Sequence, residues 1–311
     1  MGAFEKFAPD QFPFRDYFRT LKTSFSLFFL QQKDNNGIYI SEGYAAKIEY
    51  PLNVNSIERA GEKISTIYKN FIEGNDCKVY SCVIPDKNYF LASNNQMLAI
   101  DYDRLVEIFN NTTPFAQYIN ITDTLTIDDY YKTDTHWRQE KIIQTARRIT
   151  EAMGSSEYLT SDYSIKEADI DFSGVYRGQS ALPLKSEKIY YLTNSVINEC
   201  RVNNKETGEI IGVYDLNKLY SRDPYDVFLS GACALMTIEN PNAKRDRELI
   251  VFRDSFASSI MPLMCEAYSK ITLIDTRYFK SELLGNYVSF KSCDVLFIYG
   301  SSLLNNSIML K

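Results

Sequence analysis

Histidine and tryptophan are the scarcest side chains in this 311-residue chain, which contains one of each. A zinc or iron site built from several imidazoles is therefore excluded, and no bound metal is expected. No apolar run approaches the roughly 18 residues that cross a bilayer, and SFSLFFLQQ near the start is too short. No secretion signal is visible, and the abrupt start MGAFEKF is compatible with a removed N-terminal membrane anchor.

Positive charge is also limited. The chain has 34 Lys and Arg against 40 Asp and Glu, a net charge of -6, and no basic run. This balance argues against a nucleic-acid partner. The six cysteines are scattered without any C-x-x-C pair, and a chain of this size needs no disulfide framework. We therefore expect free, buried thiols and no cofactor.

The hydrophobic pattern predicts an α/β fold. Helical periodicity is present over residues 14–32, 56–73 and 137–153. Short apolar runs, namely CKVYSCVIP, ELIVFRD, KITLIDTRYF and DVLFIYG, alternate with helix-compatible segments. This alternation predicts a mostly parallel sheet with helices on both faces. Residues 173–220 are polar with short alternating runs, so we predict a β-rich insertion within one domain spanning 1–311.

Ser255 directly follows one of these predicted strands. In ELIVFRDSFASSI the chain leaves the strand through Arg253 and Asp254 and enters a helix. Ligands bind at the carboxyl ends of parallel strands, where a serine hydroxyl would lie close to backbone N–H groups that can stabilise an oxyanion. On position alone, a serine that caps the helix is the simpler explanation.

The single histidine, His136, lies two residues after Asp134 and next to Trp137. A serine nucleophile needs a base, and the base needs a carboxylate that fixes its tautomer and stabilises its charged form. Asp134 as a helix cap with His136 exposed beside it explains this pair equally well in isolation. If the chain performs serine chemistry, however, His136 is the only imidazole that can act as base.

Motifs along nearly the whole chain resemble those of the DHHW proteins and their relatives, the alginate O-acetyltransferase type of the SGNH-hydrolase-like superfamily. The stretches that carry the resemblance are FPFRD, GIYISEGY, VIPDKNYF, YYKTDTHW, DPYDVFLSG, ELIVFRDSFASS, ITLIDTRYF and DVLFIYGSSLL. The resemblance implies a three-layer α/β/α sandwich of flavodoxin-like, SGNH-hydrolase-like type.

The resemblance also implies site roles. Ser255 matches the nucleophile, His136 the base and Asp134 the carboxylate that orients it. Arg277 in DTRYF matches an arginine near the site, for which we expect a substrate-side or oxyanion-supporting role. Where the family has a Gly-Gly-Asn type stretch, this chain has SGAC, in which Gly231 can still offer a backbone N–H to an oxyanion.

The activity implied is transfer of an acyl group, usually acetyl, to a cell-surface or secreted polysaccharide through an acyl-serine intermediate. A carbohydrate esterase with the same triad is the alternative, as is a non-catalytic glycan-binding or assembly protein of this fold. The expected partners are a carbohydrate acceptor and an acyl donor such as a membrane acyl carrier protein. The expected location is extracytoplasmic, at the cell surface or anchored to the membrane.

Overall fold

A computed structural model describes residues 14–311, apart from the side chain of Asp16, so the FPFRD stretch begins outside the described residues. The apolar runs of the sequence form an eight-stranded sheet. With strands numbered along the chain, the order across the sheet is β4 (Gln117–Tyr118), β3 (Lys78–Ile84), β12 (Cys293–Gly300), β10 (Glu248–Arg253), β11 (Lys270–Ile274), β9 (Leu235–Glu239), β7 (Arg201–Asn204) and β8 (Ile210–Ile211).

The strands from β4 to β11 are parallel to one another, whereas β9, β7 and β8 extend the sheet in antiparallel pairings. Read from β10 onward, the parallel strands lie in the order β11-β10-β12-β3-β4. This is the 2-1-3-4-5 order of flavodoxin-like sheets, entered by the chain at a different strand. The predicted fold class, a mostly parallel α/β sheet of flavodoxin-like type, is confirmed.

Helices cover both faces of the sheet and create two hydrophobic cores. One face carries α2 (Val54–Ile67), α4 (Tyr102–Thr112) and α9 (Ser301–Asn305), and the other carries α5 (Ile143–Ala152) and α8 (Ala257–Ile260). Side chains of β10 alternate between the two cores. Leu249 and Val251 face the core under α5 and α8, whereas Ile250 and Phe252 face the core under α2, α4 and α9. Within residues 14–311, no helix combines the length and the apolar character that a membrane span requires.

The remaining elements surround the sheet. They are α1 (Arg15–Phe28), the hairpin β1 (Ile38–Ser41) and β2 (Tyr44–Lys47), α3 (Lys87–Leu91), the pair β5 (Ser164–Glu167) and β6 (Tyr190–Thr193), α6 (Val175–Ser180) and α7 (Ser195–Glu199). The segment 173–220, predicted to be β-rich, therefore contains two helices as well as strands. Two of its strands, β7 and β8, extend the central sheet.

Helix boundaries differ from the predicted ones. The helix predicted from Trp137 begins at Ile143, because Trp137 forms a β-bridge with Tyr130 and is completely buried, and a 3-10 turn follows. The helix predicted over 14–32 is the shorter α1. The helix predicted over 56–73 is α2 followed by a π-helical turn, Tyr68–Ile72.

Candidate active site

The carboxyl edge of the sheet, where β3, β10, β11 and β12 end, brings Ser255, His136 and Asp134 together. The Ser255 Oγ lies 2.8 Å from His136 Nε2, and His136 Nδ1 lies 2.6 Å from Asp134 Oδ1. Ser255 and His136 are 119 residues apart in the chain. A hydroxyl, an imidazole and a carboxylate in this sequence of contacts can act as nucleophile, base and orienting group.

Ser255 occupies the point where the strand order reverses. It follows β10, and the crevice of a flavodoxin-like sheet opens between the first and third strands of that order, here β10 and β12. Asp254 ties the two strand ends together, since its carboxylate accepts from the N–H of Phe256 at 3.0 Å and from that of Gly300 at 2.7 Å. The Ser255 N–H makes no hydrogen bond to any residue from 14 to 311, which leaves it available to an oxyanion.

The imidazole of His136 is held between aromatic rings. Tyr225 stacks on it with ring centroids 3.8 Å apart and planes 5° from parallel, and the Tyr225 hydroxyl contacts Ser259 Oγ at 2.8 Å. The Trp137 indole N–H donates to the carbonyl of Phe256 at 3.0 Å and to Ser259 Oγ at 2.9 Å. The lone tryptophan therefore fastens the turn that carries His136 to the segment that follows Ser255.

Asp134 is completely buried and ionised. Burial by itself would raise its pKa, but the charge and hydrogen bonds of His136, together with the N–H of Val175, lower that pKa to about 2. Val175 donates to Asp134 Oδ2 at 2.9 Å, and the His136 N–H donates to Oδ1 at 3.0 Å. Gly174 has to be glycine here, because a Cβ would lie 2.3 Å from the Cβ of Asp134.

The turn before Asp134 is braced by Lys87, a residue whose role sequence reasoning missed. Its buried ammonium donates to the carbonyls of Tyr131 at 2.8 Å and Lys132 at 3.3 Å, and lies 4.9 Å from the ring of Tyr176. Burial lowers the pKa of Lys87 to about 7, against the opposing charge of Asp134. The signal in the sequence was the Pro-Asp-Lys that ends the VIPDK run.

Glu187, from a distant part of the chain, also stabilises the turn before Asp134. Its carboxylate accepts from the N–H groups of Lys132 at 2.9 Å and Thr133 at 2.7 Å, and from the Thr133 hydroxyl at 2.7 Å. These partners are more than 50 residues apart in the chain. Lys87 and Glu187 together fix the backbone that leads into Asp134.

Arg277 lies at the same edge of the sheet, and its guanidinium group binds the carboxylate of Asp275. Its Nε and Nη2 bond the Asp275 carboxylate at 2.9 and 2.6 Å. Burial raises the pKa of Asp254, and the charge of Arg277 is the largest of the opposing influences. The charge of Arg277 thus opposes the rise in the pKa of the residue that precedes Ser255, and the substrate-side or oxyanion-supporting role expected for Arg277 stays a prediction.

Gly231 does not fit the expected oxyanion role. Its N–H donates to the carbonyl of Phe228 at 3.3 Å, so the group is used inside the turn. Its backbone is left-handed, with φ at +84°, and a Cβ there would lie 2.4 Å from the carboxylate of Asp226. This tight turn therefore requires glycine at position 231.

Arg253, just before Asp254, is a buried cation with few partners. Its Nη1 donates to Ser258 Oγ at 2.8 Å, while Nε and Nη2 find no acceptor within the described part of the chain. Burial lowers its pKa. The nearby charges of Asp275 and Asp254 oppose this shift, so the positive charge of Arg253 is partly compensated.

The six cysteines are free thiols. Cys77 and Cys293 lie with their sulfur atoms 3.0 Å apart at the opposite end of the sheet from Ser255. Between residues 14 and 311, no group of three or more His, Cys, Asp or Glu side chains is placed to hold a metal ion.

No protein-family model and no curated protein matches the sequence. Solved structures do match it. A DHHW family protein from Eubacterium siraeum aligns with a TM-score of 0.68 at 15% identity, over 89% of this chain and 97% of that one. Bacillus cereus PatB1 aligns with a TM-score of 0.67 at 18% identity, over 88% of this chain and 98% of its own.

The O-acetyltransferase domain of Pseudomonas putida AlgJ aligns more distantly, with a TM-score of 0.51 at 9% identity, over 86% of this chain and 92% of that one. At these identities the similarity shows a shared fold. The resemblance to DHHW proteins and alginate O-acetyltransferase relatives, expected from the motifs, is confirmed at the level of fold.

Proposed function

We propose that this protein is an O-acyltransferase, in the simplest case an O-acetyltransferase, that modifies a cell-surface or secreted polysaccharide through an acyl-Ser255 intermediate. The observation that carries the proposal is the unbroken contact from Asp134 through His136 to Ser255 at the crevice of the sheet. The fold adds support, since it is shared with an O-acetyltransferase domain.

In the first half-reaction, Ser255 Oγ attacks the acyl carbonyl of the donor while its proton passes to His136 Nε2. The imidazolium that forms is stabilised by ionised Asp134, and the Ser255 N–H donates to the developing oxyanion. The bond between the acyl carbon and the donor's oxygen or sulfur atom then breaks, and that leaving atom takes the proton from Nε2. The products are acyl-Ser255 and the free donor alcohol or thiol.

In the second half-reaction, a sugar hydroxyl of the acceptor gives its proton to His136 Nε2 and attacks the acyl-serine carbonyl. Collapse of the tetrahedral intermediate forms the sugar ester and returns the proton to Ser255 Oγ. Tyr225, stacked on the imidazole, keeps Nε2 directed at Ser255 through both halves. With water in place of the sugar the same steps give hydrolysis, which is the esterase alternative.

The test is turnover of a chromogenic acetyl ester with and without oligosaccharide acceptors, combined with labelling by a fluorophosphonate probe. We expect the probe to label Ser255, and acceptors to accelerate release of the chromophore while ester appears on the sugar. Hydrolysis that acceptors do not change would favour the esterase. Neither labelling nor turnover, with glycan binding retained, would favour the non-catalytic binding protein.

The location and the donor follow from the same proposal. An acceptor polysaccharide outside the cytoplasm requires the protein to act there, and its acyl groups then have to be delivered across or at the membrane. Fractionation of cells that produce the protein from its native gene tests the location directly. Recovery in the cytoplasmic fraction alone would contradict it.

A further inference from the structure

The amino edge of the sheet holds a pair of cysteines that the proposed acyl transfer does not use. Cys77 directly precedes β3, and Cys293 is the first residue of β12. The two strands are parallel neighbours whose register begins with Lys78 opposite Asp294, so the cysteines face each other one position earlier. Their Sγ atoms lie 3.0 Å apart.

Contacts on both sides of this pair hold the two backbones together. The ladder between β3 and β12 follows the cysteines, and Ser292 Oγ lies 3.4 Å from Asp76 Oδ2 just before them. Neighbouring strands are about 4.8 Å apart, and a disulfide bridges Cα atoms that are roughly 4.4–6.8 Å apart. A bond between the two sulfur atoms therefore requires little movement of the backbone.

Access to reagents distinguishes this pair from the other cysteines. Cys77 is half-buried and follows an exposed turn, residues 73–76, whereas the other five cysteines are buried. Cys200 and Cys265 also interact, since a hydrogen bond with Cys265 lowers the pKa of the Cys200 thiol. Because both of these thiols are buried, a reagent in solution can reach Cys77 but not the second pair.

The two thiols of the exposed pair differ in acidity. Burial raises the pKa of the Cys293 thiol, and the contact with Cys77 raises it further. Cys293 therefore keeps its proton and donates it to the sulfur of Cys77. This order assigns Cys77 as the thiol that attacks first and Cys293 as the thiol that completes the reaction.

We propose that Cys77 and Cys293 form a modification site, at which a small disulfide such as oxidised glutathione creates an intramolecular disulfide that clamps β12 to β3. The Cys77 thiolate attacks one sulfur of the reagent, whose S–S bond breaks, and the first glutathione leaves and takes up a proton. Cys293 Sγ then attacks Cys77 Sγ, and its proton passes to the second leaving glutathione. Two protein thiols are oxidised, and the reagent is reduced to two thiols.

The clamp would act on the stability of the fold rather than on the chemistry. It joins positions 216 residues apart, and a cross-link stabilises a protein mainly by restricting its unfolded chain. The pair lies at the opposite end of the sheet from Ser255, so turnover per folded molecule should be the same with and without the bond. The inference does not depend on the proposed function.

The test counts reactive thiols. The protein is reduced, freed of reductant and incubated with oxidised glutathione, and its remaining thiols are alkylated with N-ethylmaleimide in urea and counted by mass spectrometry. We expect two fewer adducts than the six of the reduced protein, and peptide mapping should find Cys77 linked to Cys293. An unchanged count, a lasting glutathione adduct on Cys77, or a link between Cys200 and Cys265 would overturn the proposal.

Two serine variants test the assignment. Cys77→Ser removes the accessible thiol, and the variant should keep every remaining thiol during the incubation. Cys233→Ser is the matched control, because a hydroxyl can replace the bonds from its thiol to Asn204 Oδ1 and the carbonyl of Leu235, and it should lose two thiols as the unmodified protein does. Loss of two thiols from Cys77→Ser would overturn the proposal.

Urea titration measures the clamp itself. The oxidised protein should have a folded-to-unfolded ratio roughly 30–1,000-fold higher than the reduced protein, and dithiothreitol should reverse the gain. Cys77→Ser should show no gain. Equal urea midpoints for the reduced and disulfide-bonded forms would overturn the clamp. These measurements need no acyl donor or acceptor, so they succeed or fail separately from the proposed function.

Discussion

The two edges of the central sheet differ in the groups that bind their buried charges. At the amino edge, where β10, β11 and β12 begin, charges meet their opposites. Asp294 is almost fully buried and accepts from Arg247 at 2.6 and 2.9 Å and from Arg245 at 3.1 Å. Next to it, Lys270 pairs with Glu248 at 3.0 Å.

At the carboxyl edge Asp275 pairs with Arg277, but two other buried carboxylates, those of Asp86 and Asp254, are bound by neutral groups. Asp86, after β3, accepts from the hydroxyls of Tyr102 and Ser301, each within 2.8 Å, and from the N–H of Asn88. Burial raises its pKa. Asp254, after β10, is satisfied by two backbone N–H groups, and its pKa is raised for the same reason.

This difference suggests that the amino edge contributes to stability and the carboxyl edge to function. Opposite charges at the amino edge join the strand ends, and their replacement should cost stability alone. At the carboxyl edge, buried carboxylates that have no oppositely charged partner lower the stability of the fold. Such groups concentrate at functional sites. Variants that are matched between the two edges can therefore test whether the edges differ in function.

The largest effect should follow removal of the reacting groups. Ser255→Ala, His136→Ala and the double variant should each lower the rate of ester turnover by roughly 10⁴–10⁶-fold, to a similar residual rate, because such groups act as a unit. Ser269, which precedes β11 at the amino edge, is the matched serine. Ser269→Ala should keep near-normal turnover. A His136→Ala variant with normal turnover would remove the basis for the proposed mechanism.

The second effect should appear in stability at the amino edge. Asp294→Ala leaves Arg245 and Arg247 without their carboxylate, and we expect the free energy of unfolding to fall by about 2–3 kcal/mol, because both arginines still reach water. Turnover per folded molecule should not change. The exposed neighbour Asp246 is the control, and Asp246→Ala should stay within about 0.5 kcal/mol. Lost turnover in folded Asp294→Ala would show that the edges are coupled.

The third effect tests close packing at the carboxyl edge. Gly174→Ala places a Cβ 2.3 Å from that of Asp134, so the backbone has to move and carry the Val175 N–H away from the carboxylate. We expect a loss of about 1–3 kcal/mol in the free energy of unfolding together with reduced turnover. Gly212 is the control, since the nearest atom to its Cβ would be 3.8 Å away. Equal denaturation midpoints for the two variants would contradict this packing.

The last effect concerns pH. Asp134 has a pKa of about 2 in the folded protein, below the ordinary aspartate value of 3.8. Its ionised form therefore stabilises the fold above about pH 4, and this contribution is lost as pH falls toward 2. At pH 6, Asp134→Asn should lower the free energy of unfolding by about 2 kcal/mol relative to wild type. Urea titrations at several pH values should show the difference shrinking on acidification. A difference independent of pH would mean that the charge of Asp134 does not stabilise the fold.

The parts of this molecule that depend on local sequence pattern could be predicted. The apolar runs around Val79, Ile250, Ile271 and Val295 are continuous because each strand is buried on both faces, so their existence and parallel pairing could be predicted. Helical periodicity placed the start of α5 too early. Trp137 fits the apolar pattern of a helix, but it is buried beneath the site and precedes the helix.

The site could be predicted only where its residues are rare or adjacent. His136 and Asp134 stand out because one is unique in the chain and the other lies two positions away. Val175 contributes a backbone N–H, which leaves no trace in residue type. Lys87, the first residue of α3, and Tyr225, in a 3-10 turn, reach the site from distant parts of the chain through contacts that only the assembled fold creates.

The position of β12 has a consequence for how the protein is made. It is the last strand of the sheet in chain order, yet it lies between β3 and β10, which are about 170 residues apart in the sequence and do not pair with each other. While the chain is being synthesised, β3 and β10 therefore have no strand that connects them within the sheet until residues 293–300 emerge. Such long-range closure is slow and leaves strand edges exposed. Because Gly300 supplies an N–H to Asp254, the turn that carries Ser255 gains this support only with the last strand.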